Sequence, residues 1–190
     1  MKRTARTTHG AHGARSAHSA RTARNASALA LGLAALLGAH DADAACTGVG
    51  LFSCGATVTV PLPLAFGNYD PASLTPKDNT TTINVVGTVT GLGILVTLSY
   101  SIGLSAGTGG TIANRQLTGP ASTPLGYNLY TTNARTTVWG TGTVTDSYSA
   151  LASVGGTSVP RSYTVYGRIP IGQYVAPGGY SNTITVTVTY

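Results

Sequence analysis

Apolar and β-branched side chains recur at every second position over much of this chain, which is the period of a strand with one buried face. Val58, Val60, Leu62, Leu64 and Phe66 share one parity, while Thr57, Thr59, Pro61 and Pro63 take the other. Proline cannot donate to a ladder, so this first strand is predicted to lie at a sheet edge or to be interrupted there. The longest series is Leu92, Ile94, Val96, Leu98, Tyr100, Ile102 and Leu104, seven side chains that a period of two places on one face. Shorter runs predict strands over 82–89, 125–130, 136–143, 162–168 and 182–190. Turn signals such as Tyr69-Asp70-Pro71, Thr108-Gly109-Gly110 and Pro177-Gly178-Gly179 separate them. About seven short strands at this spacing predict an antiparallel β-sandwich, with a small barrel as the alternative.

The last run alternates most sharply. Ile184, Val186, Val188 and Tyr190 point one way, and Thr183, Thr185, Thr187 and Thr189 the other. Two arrangements satisfy the pattern. The strand is paired inside a complete sandwich, or the sandwich lacks its last strand and leaves an open edge into which another chain inserts one.

Composition changes the picture at the front of the chain. Hydrophobic residues make up 42% of the sequence and charged ones only 8%, against about 25% charged in an ordinary globular domain. There are 11 Lys+Arg against 5 Asp+Glu, a formal charge of +6, yet six of those cations (Lys2, Arg3, Arg6, Arg15, Arg21 and Arg24) fall in the first 24 residues. All four histidines precede residue 41. This basic stretch is followed by an apolar run over 28–39 and by Ala42-Asp43-Ala44, a small-residue pattern that signal peptidase accepts. Residues 1–44 are therefore predicted to be a signal peptide cleaved after Ala44; a basic amphipathic helix at a membrane surface is the alternative. The apolar run is too short to span a bilayer, which takes about 20 residues, and no second anchor follows. The expected product is one exported domain that does not span a membrane once the leader is removed.

From residue 45 onward there is no histidine or glutamate, and only Asp70, Asp78 and Asp146 carry negative charge. That is a thin supply for general acid–base chemistry, for a metal shell or for any cofactor-dependent reaction. No phosphate-binding glycine motif appears, and Lys77, Arg115, Arg135, Arg161 and Arg168 form no stripe for nucleic acid. The chain is read as a non-enzyme without cofactor or metal. In an exported protein Cys46 and Cys54 are expected to form a disulfide that closes a small loop; a bond from one of them to another chain is the alternative.

Three segments carry a resemblance. Residues 54–71 (CGATVTVPLPLAFGNYDP), 114–143 (NRQLTGPASTPLGYNLYTTNARTTVWGTGT) and 163–190 (YTVYGRIPIGQYVAPGGYSNTITVTVTY) resemble, in order, the spore coat protein U domain shared by Csu-type subunits of archaic chaperone–usher pili. The resemblance implies a domain over 54–190 with the fold of an incomplete immunoglobulin-like antiparallel β-sandwich, lacking its last strand and completed by a donor strand from another chain. It implies a periplasmic pilus chaperone that first lends this strand and an outer-membrane usher where a neighbouring pilus subunit replaces it. Head-to-tail polymerisation then carries the subunit through the periplasm to the cell surface, in a fibre that serves adhesion and biofilm formation. By similarity, Ile184, Val186, Val188 and Tyr190 border the groove, and the 92–104 series belongs to the core. A spore or cell-surface coat protein and a glycan-binding tip module are the alternatives.

The chain departs from the family pattern in three places. The second cysteine of the family is missing near 83–87, which leaves Cys46 as the partner implied for Cys54. Acidic positions of the family are Thr141 and Asn182 here. The extension over 45–53 is short for a donor strand, with Val49 and Leu51 as its candidate donor side chains. Trp139, Tyr127, Tyr130, Tyr163 and Tyr166 could offer rings to a sugar, but their strand-like spacing reads as packing, and Arg168 is expected to pair with Asp70 or Asp146.

Overall fold

The computed structural model describes residues 45–190; the leader expected over 1–44 lies outside them. Seven strands follow in chain order: β1 (Ala45–Thr59), β2 (Lys77–Leu104), β3 (Arg115–Thr118), β4 (Pro124–Tyr130), β5 (Val144–Ala150), β6 (Thr157–Ile169) and β7 (Val186–Thr189). A single turn of 3-10 helix over Pro120–Ser122 is the helical element among the described residues. Every ladder between named strands is antiparallel, in the order β1-β2-β6-β4-β3, with β5 and β7 also paired to β2.

β2 organises the fold. Its first arm takes β6 on one edge and β1 on the other, and its second arm takes β5 on one edge and β1, then β7, on the other. Between the arms the sheet curls over on itself, so that the two arms face each other across the core. A Cβ on Gly87, in the first arm, would meet Leu98 of the second arm and lie 1.8 Å from the Tyr148 hydroxyl of β5. Ile83, Val85 and Val89 of the first arm and Leu98, Tyr100, Ile102 and Leu104 of the second are buried together with Leu129, Trp139 and Val165. The expected strands over 82–89 and 92–104 are thus one element.

One expectation fails, for a geometric reason. Leu92 and Ile94 are 70% and 58% exposed and lie outside the core, whereas Val96 and its even-numbered successors are fully or nearly buried. Leu95 and Val96 stand against the lone Gly48 of β1, where the register shifts, and Leu95 takes φ +51°. The extra residue is a β-bulge, and with a side-chain period of two it turns each following position to the opposite face. Odd positions of β2 point inward before the bulge and even ones after it.

The same place bends both strands into an arch. Gly50 and Gly91 adopt φ of +119° and +122°, and a Cβ on either would come within 2.3 Å of a carbonyl oxygen on the opposite strand. Only glycine permits so close an approach. The arch brings Cys46 and Cys54, both in β1, to a Cα separation of 6.2 Å, and they form a disulfide. Serine at both positions is expected to lower stability by about 2–3 kcal/mol, the loop-closure value for so short a ring. A shift of the urea midpoint at unchanged slope checks it.

The first strand ends at Thr59, just before Pro61 and Pro63, as the missing donors require. Residues 136–143, expected as a strand, form no ladder: the Trp139 N–H donates to the Leu129 carbonyl at 2.9 Å and its indole to that of Ile102 at 3.0 Å. The partner of Arg168 is Asp78, directly opposite it on β2 (not Asp70 or Asp146), through two bonds of 2.8 Å. That guanidinium, helped by Arg135 at 3.4 Å, holds the Asp78 carboxyl below its ordinary value of 3.8. A lowered folded-state value means that the pair stabilises above the ordinary carboxylate range and that this contribution is lost as pH falls through the lowered one. Asp78→Asn is therefore expected to remove about 1 kcal/mol at neutral pH and to flatten the loss of stability below about pH 4, as followed by acid titration of the urea midpoint.

Candidate functional site

Strand β7 presents the alternation that its sequence predicts. Ile184, Val186, Val188 and Tyr190 are half-buried against the core, and the intervening threonines face solvent. β7 is shorter than expected, because residues 182–185 reach their neighbours through separate bonds such as Ser105 N–H to the Thr185 carbonyl at 3.0 Å. Its ladder runs along β2 alone, Val186 opposite Leu104 and Val188 opposite Ile102, so its other edge has no backbone partner among the described residues.

Beside that edge the two layers stand open. An apolar groove of about 430 Å³ has Ile184 and Val186 on one wall and Val60, Leu64 and Phe66 on the other. Its floor is made by Ile83, Leu104, Leu117, Tyr127, Leu129 and Val165. The second wall has no ladder to β2. It is tied there by side chains, with the Thr81 hydroxyl donating to the Leu62 carbonyl at 2.6 Å and the Asn79 amide to that of Ala65. A second hollow of about 790 Å³ shares Leu64, Phe66, Leu117 and Asn182 with the groove and continues it toward residues 175–181. Of the residues expected to border the groove, Ile184 and Val186 line it. Val188 points the same way further along, and Tyr190 lies beyond, in a polar depression with Tyr100, Asp146 and Thr189.

The floor is held by a group that the sequence pattern did not single out. Arg115 is completely buried and donates to the carbonyls of Leu104 (3.0 Å), Ser105 (2.9 Å) and Trp139 (2.7 Å) and to Asn128 Oδ1 (2.7 Å). Among the described residues no carboxylate faces it; burial pushes its pKa down, with Tyr127 opposing. Asn128 in turn donates to the Ala113 carbonyl at 2.7 Å. At the rim Asn182 accepts from the Thr108 N–H (2.7 Å) and donates to the Ala106 carbonyl and the Tyr127 hydroxyl, so a neutral amide satisfies this corner without a carboxylate.

The candidate donor residues lie elsewhere. Val49 and Leu51 belong to β1, opposite Ile94 and Leu92, and all four point outward on the arch with Leu95. Leu151 and Val154, from the connection between β5 and β6, are exposed close by, where Ser153 and Ala152 bond to Gly91 and Gly93. The arch lies at the middle of β2 and the groove away from it, because the groove takes its β2 residues, Thr81, Ile83 and Leu104, from the outer portions of the two arms.

Other polar groups close on themselves. Tyr163 donates to Asp146 at 2.5 Å and accepts from Tyr100 at 2.5 Å; burial first, and then that carboxylate, raises its pKa far above the ordinary phenol value. Trp139 is buried away from the groove, and Tyr127 is buried as part of its floor, so neither stands as an exposed platform for a sugar ring. Among the described residues no group of three His, Cys, Asp or Glu could hold a metal ion, and no helix is long and apolar enough to cross a membrane.

Residues 42–187 match the Spore Coat Protein U domain family. A relative named Protein U, from Myxococcus xanthus, is 30% identical over 133 residues, covering 67% of this chain and 71% of its own. Among solved structures, one of a chaperone–tip adhesion subunit pre-assembly complex from archaic chaperone–usher Csu pili of Acinetobacter baumannii aligns with a TM-score of 0.40 at 20% identity. That alignment covers 74% of this chain and 40% of the other.

Proposed function

Because the chain belongs to the Spore Coat Protein U domain family, we propose that it is an exported, non-enzymatic structural subunit of a chaperone–usher-type surface pilus. Its groove accepts a β-strand from another protein. The observation that carries this reading is the open apolar groove beside the unpaired edge of β7. An incoming strand that pairs with β7 gains ladder hydrogen bonds, and every second side chain enters the groove. Burial there contributes about 25 cal/mol per Å² of apolar area, and the ladder fixes direction and register. Ile184 and Val186 meet the inserted side chains, and Val188 and Tyr190 extend the same face.

The leader over 1–44, removed after Ala44, delivers the subunit to the periplasm. A pilus chaperone occupies the groove first, and at the outer-membrane usher a neighbouring subunit takes its place. A head-to-tail contact that does not close on itself produces a fibre, here one that serves adhesion and biofilm formation. Nucleic acid has no part in this reading: Arg168 and Arg135 share Asp78, Arg161 lies 3.8 Å from Asp146, and Arg115 is buried. A second reading, a coat protein of the spore or cell surface assembled through the same groove, is favoured by the family description.

The test is co-expression of the full chain with the periplasmic chaperone of its gene neighbourhood. A one-to-one complex is expected, together with loss of the chain to aggregation or proteolysis when the chaperone is left out. A lone chain that accumulates as a durable monomer and ignores the chaperone overturns the reading.

A further inference from the structure

The stretch that a strand-lending subunit would extend toward its neighbour is already committed in this fold. β1 pairs with β2 from Ala45, opposite Ser99, to Thr59, opposite Asn84, with one register shift. Fully extended, a segment as long as that from Cys46 to Cys54 would span about 26 Å, whereas the disulfide holds its ends at a Cα separation of 6.2 Å. Residues 46–54 can therefore act as a linear donor only if the bridge is reduced and the arch ladder is stripped away. The start of β1 is confined as well. Ala45 lies opposite Ser99, and β7 takes the same edge of β2 from Ser101 onward, so the ladder cannot be prolonged backward from Ala45 along that edge.

The groove, by contrast, is open among the described residues, and beside its wall at Ile184 and Val186 runs an edge of β7 that none of them pairs with. We infer that this chain accepts a strand and lends none, so that it terminates a fibre. This inference rests on the strand-insertion function proposed above and on cleavage after Ala44. A chain able to accept but not to donate stops growth at its own position, whereas a subunit capable of both is repeated along the shaft. The arch that carries Val49 and Leu51 is then part of a terminal surface.

Immunogold labelling of surface fibres, from cells that express the full chain with the other genes of its cluster, tests this directly when combined with mass spectrometry of the fibre-bound chain. The expected result is label at a single end of each fibre, an amino terminus at Ala45 and an intact Cys46–Cys54 bridge. Label spaced along the shaft, or a fibre-bound chain that begins well upstream of Ala45, overturns the inference and leaves the strand-accepting function standing. Surface fibres that carry no label at all overturn the proposed function itself.

Discussion

Replacing Arg115 with leucine is expected to destabilise the domain by about 4 kcal/mol or more, one of the largest effects open to a single substitution here. The guanidinium serves four main-chain carbonyls, that of Ile112 at the longest distance, and one side-chain amide in a site without solvent access. Exchanging a buried ion pair for apolar residues can be neutral when both partners are removed. At this position the main-chain acceptors are the carbonyls of Leu104, Ser105, Ile112 and Trp139, which no substitution deletes. Leucine fills part of the volume and leaves them unpaired, each at a cost of about 1–3 kcal/mol. Lysine restores a positive charge but not the planar fork that reaches the ends of β2 and β4 together, so rescue should be partial. For a domain of this size the loss corresponds to a fall in melting temperature of about 10 °C. Trp139, the single tryptophan of the chain, is buried beside Arg115 and reports unfolding through its emission. A melting temperature for Arg115→Leu within about 2 °C of the parent would show that the buried cation contributes little.

Arg115 also marks where reading the sequence stops. Alternation of apolar and polar positions is a local signal, and it recovers β4, most of β6, the edge character of the first strand and the two-faced pattern of β7. It cannot show where an extra residue shifts the register. The seven-position series ending at Leu104 is unbroken in the sequence, yet the bulge at Leu95 divides it between two faces. The glycines at 48, 50, 91 and 93 were the available hint, since glycine inside a strand often marks a bulge or a close backbone approach. Arg115 gave no such hint. One arginine in a polar loop-and-turn stretch reads as a surface charge, and its burial depends on the ends of β2, β4 and the Trp139 segment converging on it. Trp139 was legible as a packing residue, but not its position outside any ladder. The groove was half legible. Its β7 wall follows from alternation, whereas Val60, Leu64 and Phe66 form the opposite wall because Pro61 and Pro63 remove that stretch from the sheet while leaving it beside the core.

The second large effect concerns the groove. Val186→Asp is expected to abolish recovery of the complex between this chain and its chaperone, a loss of more than about a hundredfold in affinity. Val186 lies opposite Leu104 on β2 and lines the groove with Ile184, so an aspartate there places a carboxylate against Leu117, Leu129 and Val165 with no cation among the lining residues. An inserted strand would have to seal that charge from water, at a cost of several kcal/mol. Thr187→Asp is the matched control. It adds the same charge to the same strand, one position along, on the side that already faces solvent, and should leave complex recovery unchanged. Comparing the two variants separates blockage of the groove from a general effect of charge on β7. Trp139 emission separates blockage from collapse of the fold: an unshifted spectrum with the complex lost places the defect in the groove. If Val186→Asp and the parent return equal amounts of complex from the periplasm, the strand-accepting role of this edge is wrong, and the contact must be sought on another face of the sandwich.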